Sequence, residues 1–73
     1  MSLTKYTIIG ELDFGDGFFA RFIDWSEGTD PDDACAKLEP VLYKYNEGLQ
    51  DWEMHFIIEG HHKDCYPIEG EDD

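Results

Sequence analysis

The residues best equipped for chemistry lie near the end of the chain. There "EGHHKDCYPIEGEDD" (59–73) sets His61 beside His62, with Cys65 close behind. Imidazole and thiolate together are the donors that zinc and copper favour, and Cys35 and His55 are the further donors able to join them. Adjacent histidines, however, point to opposite sides of an extended chain, and the ligand spacings of a zinc finger are missing. His61, His62 and Cys65 are therefore metal candidates without a template, and the expectation is that no metal or other cofactor is bound. A Cys35–Cys65 disulfide would contribute ~3–4 kcal/mol if unstrained, but a reducing compartment disfavours it.

Other apparent motifs dissolve on inspection. Asp13-Phe14-Gly15 matches a protein-kinase motif by letters only, with neither a phosphate loop nor a catalytic loop beside it; it reads as a turn. "DPDD" (30–33) is acidic, yet it lacks the alternating ligands, central glycine and closing glutamate of a calcium loop. Nothing pairs a nucleophile with a general base. No catalytic residue is assigned, and the chain is expected not to be an enzyme.

Charge is the outstanding bulk property. Eighteen Asp and Glu oppose five Lys and Arg in 73 residues, a formal net charge of −13. Small domains usually carry a net charge of magnitude roughly 2–8. Such a field repels nucleic acid and anionic membranes and steers the protein toward basic surfaces, the alternative being that it serves solubility alone or a high-salt environment. No stretch approaches the ~20 apolar residues of a membrane span, and the N-terminus lacks the basic-then-apolar pattern of a signal peptide. A cytoplasmic protein is expected. Two Trp, four Tyr and five Phe supply enough apolar surface for a core.

These residues must be positioned by few elements. "LTKYTIIGEL" (3–12) and "FFARFIDW" (18–25) read as strands around the turn residues Gly15, Asp16 and Gly17. Either a two-residue turn at Asp16-Gly17 or a four-residue loop over Phe14–Gly17 sets Tyr6, Ile8, Leu12, Phe19, Ile23 and Trp25 on one face. Asp30 is a natural N-cap, with Thr29 and Asp32 at capping-box spacing as the alternative; Pro31 suits the first helical position, and Asp32 and Asp33 favour the positive end of the dipole. Ala34, Leu38, Val41, Leu42 and Tyr45 recur at helical spacing, and Gly48 ends the run. Pro40 is expected to kink or break it near Lys37. "DWEMHFIIE" (51–59) gives a third strand with Trp52, Met54, Phe56 and Ile58 on one side.

The resulting expectation is an α+β two-layer sandwich of ββαβ order. Its three-stranded antiparallel sheet has the order 2-1-3, with one helix on one face. Residues 1–60 form this single domain, and 61–73 form an acidic C-terminal tail. One helix leaves the second sheet face open. Ile9, Phe18, Ala20, Phe22 and Ile57 are expected there among Thr7, Glu11, Asp24, Glu53 and His55, unless Tyr66 and Ile68 fold over them. An apolar stripe rimmed by acids has the character of an interaction surface.

"KYTIIGELDFGDGFFARFID", followed by "GTDPDDACAKLEPVL", resembles the opening of HicB-type antitoxin domains, through Gly17-Phe18-Phe19-Ala20 and Asp32-Asp33-Ala34. The likeness covers about half of the chain. The family's third strand before the helix has no counterpart, and no DNA-binding domain lies within these residues. What the resemblance implies is a related sheet-and-helix architecture and the blocking of a small basic partner.

The functional expectation is a small acidic inhibitor that occupies a basic nucleic-acid-binding protein, in the manner of a phage anti-defence protein or an antitoxin. Asp13, Asp16, Asp24, Glu27, Asp30, Asp32 and Asp33 would stand in for phosphates, with Ile9, Phe18 and Phe22 adding apolar contact. The alternatives are a homo-oligomeric assembly protein that pairs through the open face, and a metal-binding module.

Overall fold

The computed structural model of the protein describes residues 2–62. Strand β1 (Thr4–Asp13) is followed by β2 (Phe19–Gly28), helix α1 (Pro31–Tyr45) and β3 (Asp51–Glu59). The strands form one sheet in the order β2-β1-β3, with β1 antiparallel to both neighbours. This is the expected ββαβ sandwich. β-branched and aromatic residues are concentrated in the strands, as suits a pleated and half-buried surface.

The hairpin register differs from expectation. Asp13 pairs with Phe19, so five residues, Phe14 through Phe18, form the connection. Gly15, Asp16 and Gly17 all carry positive φ (86°, 57° and 75°), a left-handed run that two glycines make affordable. Asp13 accepts a hydrogen bond at its Oδ1 from the Gly15 amide at 2.8 Å, and Phe18 donates to the Gly15 carbonyl at 2.9 Å. An odd-numbered loop reverses the parity of β2 relative to β1. Ile8 is now opposite Asp24, Gly10 opposite Phe22 and Leu12 opposite Ala20.

Phe22 consequently enters the core, 8% exposed, beside Ile8, Leu12, Ala34, Leu38 and Leu42. Its placement on the open face is overturned, and Ala20 and Asp24 follow it to the helix side. Phe19, Ile23 and Trp25 move the other way. Gly10 makes room for the Phe22 ring: a Cβ there would collide with that ring and with the Glu53 carbonyl.

β3 departs from simple alternation as well. Ile9 pairs with Phe56, but Gly10 pairs with Met54, which leaves His55 as the extra residue of a β-bulge. The expected apolar face of β3 is thereby divided. Trp52 and Met54 lie on the helix side with Ile57, whereas Phe56 and Ile58 lie on the opposite side. The Trp52 ring meets Phe22 edge-on, with centroids 6.0 Å apart.

The helix is one unbroken run through Pro40. Proline frees the Ala36 carbonyl, and Ala36 and Pro40 both lie on the exposed side, where water can take up the lost bond. Asp30 caps the N-terminus, accepting from the Asp33 amide at 2.8 Å. Asp33 in turn accepts from the Thr29 amide at 2.9 Å, and this bond is the main cause that holds its carboxyl below the usual carboxylate range. The sign is that of a depressed acid. Its contribution to stability is present above the unfolded pKa and is lost as pH falls through the lowered value. At the other end Asn46 is the cap, donating to the Leu42 carbonyl at 2.8 Å. Gly48 (φ 87°) turns the chain so that Leu49 reaches the core.

Ala34, Leu38 and Leu42 form the buried stripe of α1, and the helix rests chiefly on β2. The Ser26 hydroxyl fastens it by donating to the Ala34 carbonyl at 2.8 Å. The register makes a direct prediction in urea or guanidinium titrations. Phe22→Ala should cost about 3–5 kcal/mol and Gly10→Ala about 1–3 kcal/mol. Phe19→Ala, at a site 52% exposed, should cost under about 1 kcal/mol.

Candidate functional site

The face of the sheet away from α1 can be read row by row from the two registers. At the hairpin end, Phe19, Asp13 and Asp51 form the first row and Arg21, Glu11 and Glu53 the second. Ile23, Ile9 and Phe56 form an apolar third row, followed by Trp25, Thr7 and Ile58. Glu27 and Lys5 complete the far end. The apolar band is only partly screened: Ile9 and Ile23 are half-buried, while Phe56 is 65% exposed.

The chain leaving β3 closes the far part of this face. Gly60 adopts a φ of 100° and donates to the Lys5 carbonyl at 2.6 Å. Thr7, fully buried, then anchors the turn with its hydroxyl. It donates to the Gly60 carbonyl at 2.7 Å and accepts from the His62 amide at 2.8 Å. Trp25 Nε1 donates to the His62 carbonyl at 3.3 Å. The start of the C-terminal segment therefore crosses from β3 over β1 toward β2. Tyr66 and Ile68, expected as the cover of the face, lie outside the described residues.

The histidine pair does not converge. His61 Nε2 lies 3.1 Å from the Ser26 carbonyl, whereas His62 Nε2 lies 2.8 Å from the Glu59 carbonyl. Each ring is thus engaged by a different part of the backbone. Cys65 lies outside the described residues. Cys35 is partly buried beside the core. Desolvation, reinforced by the charge of Asp32, pushes its thiol pKa up, which lowers the thiolate fraction that metal binding or nucleophilic attack requires.

The carboxylates expected to mimic phosphates do not form one cluster. Asp13 and Asp16 sit at the hairpin end, and Asp30, Asp32 and Asp33 surround the helix N-terminus beyond the other end of β2. A ten-residue strand separates these groups by about 30 Å. Asp24 is on the helix side of β2, and its Oδ1 accepts from the Trp25 amide at 2.8 Å. Glu27 is exposed on the open face. Phe18 is in the hairpin loop, its ring 5.4 Å from that of Phe14. Ile9 is where the sequence places it.

The sheet itself gathers a group that was not singled out as a site. Glu11 lies opposite Glu53, and Asp13 lies opposite Asp51. Both are like-charge cross-strand pairs, which are destabilising in isolation. His55, two residues beyond Glu53, is turned to the same place, its Nε2 3.8 Å from Glu53 Oε1. A shallow concavity of about 70 Å³ lies here, lined by Glu11, Asp13, Phe19, Asp51, Trp52 and Glu53. Small-molecule sites run to roughly 300–1,000 Å³, so this one suits a side chain or an ion instead. The alternation of "GELD" against "DWE" contains the carboxylate pairing, but only the strand register reveals it.

Among the described residues, no helix is long and apolar enough to cross a membrane. The chain matches no protein-family model, no curated protein and no solved structure. The geometry of the face yields one prediction about its far end. Thr7→Val removes a hydroxyl that donates once and accepts once, at a cost of about 1–3 kcal/mol. The same change should accelerate hydrogen exchange of the His62 amide while leaving the α1 amides protected.

Proposed function

We propose that the chain is a non-catalytic binding protein that docks its open sheet face on a basic partner, blocking a surface that would otherwise hold nucleic acid. The observation that carries this reading is the composition of the face. Exposed Phe56, with Ile9 and Ile23 beside it, forms an apolar centre. Glu11, Glu53, Asp13 and Asp51 adjoin it at the hairpin end, where they outnumber Arg21 four to one, and Glu27 pairs with Lys5 at the other end. An apolar anchor with an acidic rim is the pairing expected of an interface that attracts by charge and holds by burial. The net charge of −13 strengthens the steering and disfavours contact with the phosphate backbone itself.

Phe22 has no part in this surface because it belongs to the core, and Phe18 is at its margin in the hairpin loop. The acids at the helix N-terminus act at a distance, through the general field. A homodimer formed through the same face would bring two strongly negative surfaces together, which weighs against that alternative. A cytoplasmic setting, and an inhibitor of the antitoxin or anti-defence kind, are consistent with this mode of action.

The test begins with affinity capture from the native cell or its host and then measures displacement. A captured partner should lose bound DNA or RNA when this protein is added. Its affinity should fall at least about tenfold between roughly 50 and 200 mM salt, as interactions among exposed charges are screened. Phe56→Ala should weaken the complex at least about tenfold with little change in melting temperature. A partner that holds nucleic acid and this protein at the same time, or a complex indifferent to salt, would sink the proposal.

A further inference from the structure

We infer that Glu11, Glu53 and His55 form a binding site for a divalent transition-metal ion of the zinc type on the open sheet face. One Glu11 oxygen, one Glu53 oxygen and one His55 nitrogen all lie within 4.8 Å of one another. A tetrahedral ion with ligands at ~2.1 Å holds its donor atoms about 3.4 Å apart. The donor separations must therefore shorten by up to about 1.4 Å. Such a movement is open to long, solvent-facing side chains: His55 is 41% and Glu53 75% exposed, and Glu11 is half-buried.

What separates this trio from the protein's many other carboxylates is the imidazole and the way it is delivered. In a regular strand, residues 53 and 55 would share a face, but residue 56 would then fall on the other. The bulge at His55 breaks that rule: the ring stays on the side of Glu53 and Glu11, and Phe56 joins it on the same side of the sheet. A mixed nitrogen and oxygen set suits zinc and its neighbours, whereas magnesium and calcium prefer oxygen alone. Three protein donors leave a coordination position for water.

The local charge favours a cation. Glu11 and Glu53 oppose each other directly, and Asp13 and Asp51 oppose each other in the next row. Arg21 flanks Glu11 from β2, but among the described residues the Lys/Arg–carboxylate ion pair formed is Lys37–Asp33, away from this face. A bound dication would relieve the repulsion of both carboxylate pairs without rearranging the backbone. This inference does not depend on the proposed partner.

Zinc titrations followed by thermal unfolding and by NMR of the histidine rings test it on the full chain. Zinc at saturation should raise the melting temperature by at least about 5 °C, and the His55 ring resonances should shift with one-to-one stoichiometry. His55→Ala and Glu53→Gln, both at exposed positions, should each lower zinc affinity at least tenfold. The double variant His61→Ala/His62→Ala and the variant Cys65→Ser should bind as the parent does. Magnesium should bind at least tenfold more weakly than zinc. The proposal is overturned if zinc leaves the parent's His55 ring signals unmoved, or if His55→Ala binds with parental affinity. It is equally overturned if the tail variants abolish binding, or if magnesium matches zinc, as a diffuse acidic surface would permit.

Discussion

The length of the connection between β1 and β2 is the constraint on which the rest of the structure depends. Side chains alternate along a strand, so one residue more or less in the loop exchanges the two faces of β2. With Phe14–Phe18 as the connection, Phe22 becomes the aromatic centre of the core, and Gly10 must be a glycine to receive it. The same choice sends Phe19, Ile23 and Trp25 to the face that α1 does not reach. The left-handed run Gly15-Asp16-Gly17 is therefore more than a tight turn, because it selects which aromatic side chains are spent on stability and which remain on the surface.

Folding and surface chemistry pull against each other in a chain this acidic. The described part buries little beyond Ile8, Leu12, Phe22, Ala34, Leu38 and Leu42. Small domains of this size have modest margins, and like charges in adjacent strand positions reduce them further. The sheet nevertheless holds two such pairs side by side. Local order offsets some of the strain: the Asp30 cap, the Thr29–Asp33 bond and the Thr7 anchor each satisfy backbone groups that would otherwise be left open.

The order and type of the elements were legible in the sequence because each carried its own local signal. Asp30 and Pro31 mark the start of the helix, and the Thr-, Tyr- and Ile-rich run of residues 4–9 marks the first strand. Which face each strand presents was not legible, since that depends on counting residues through a loop whose two glycines permit several lengths. The bulge was hidden for a related reason: Trp52, Met54, Phe56 and Ile58 alternate perfectly, and only the pairing with Gly10 reveals the slip. Pro40 misled in the opposite direction. Its penalty is local, and an exposed position lets solvent relieve it. Of the surface, Ile9, Glu11, Glu53 and His55 could be placed from alternation alone, whereas Phe22 and Asp24 could not.

Among the described residues β3 is an edge strand, with one side of its backbone unpaired within the sheet. A long, flat, apolar edge invites another chain to extend the sheet, and "MHFII" has the composition for it. The extra residue at His55 interrupts the regular spacing of amides and carbonyls along that edge, and the flanking carboxylates charge it. An incoming strand would find no continuous ladder to join. The bulge thus lets the protein keep exposed aromatic and aliphatic side chains on a sheet face while reducing the hazard of edge-to-edge aggregation.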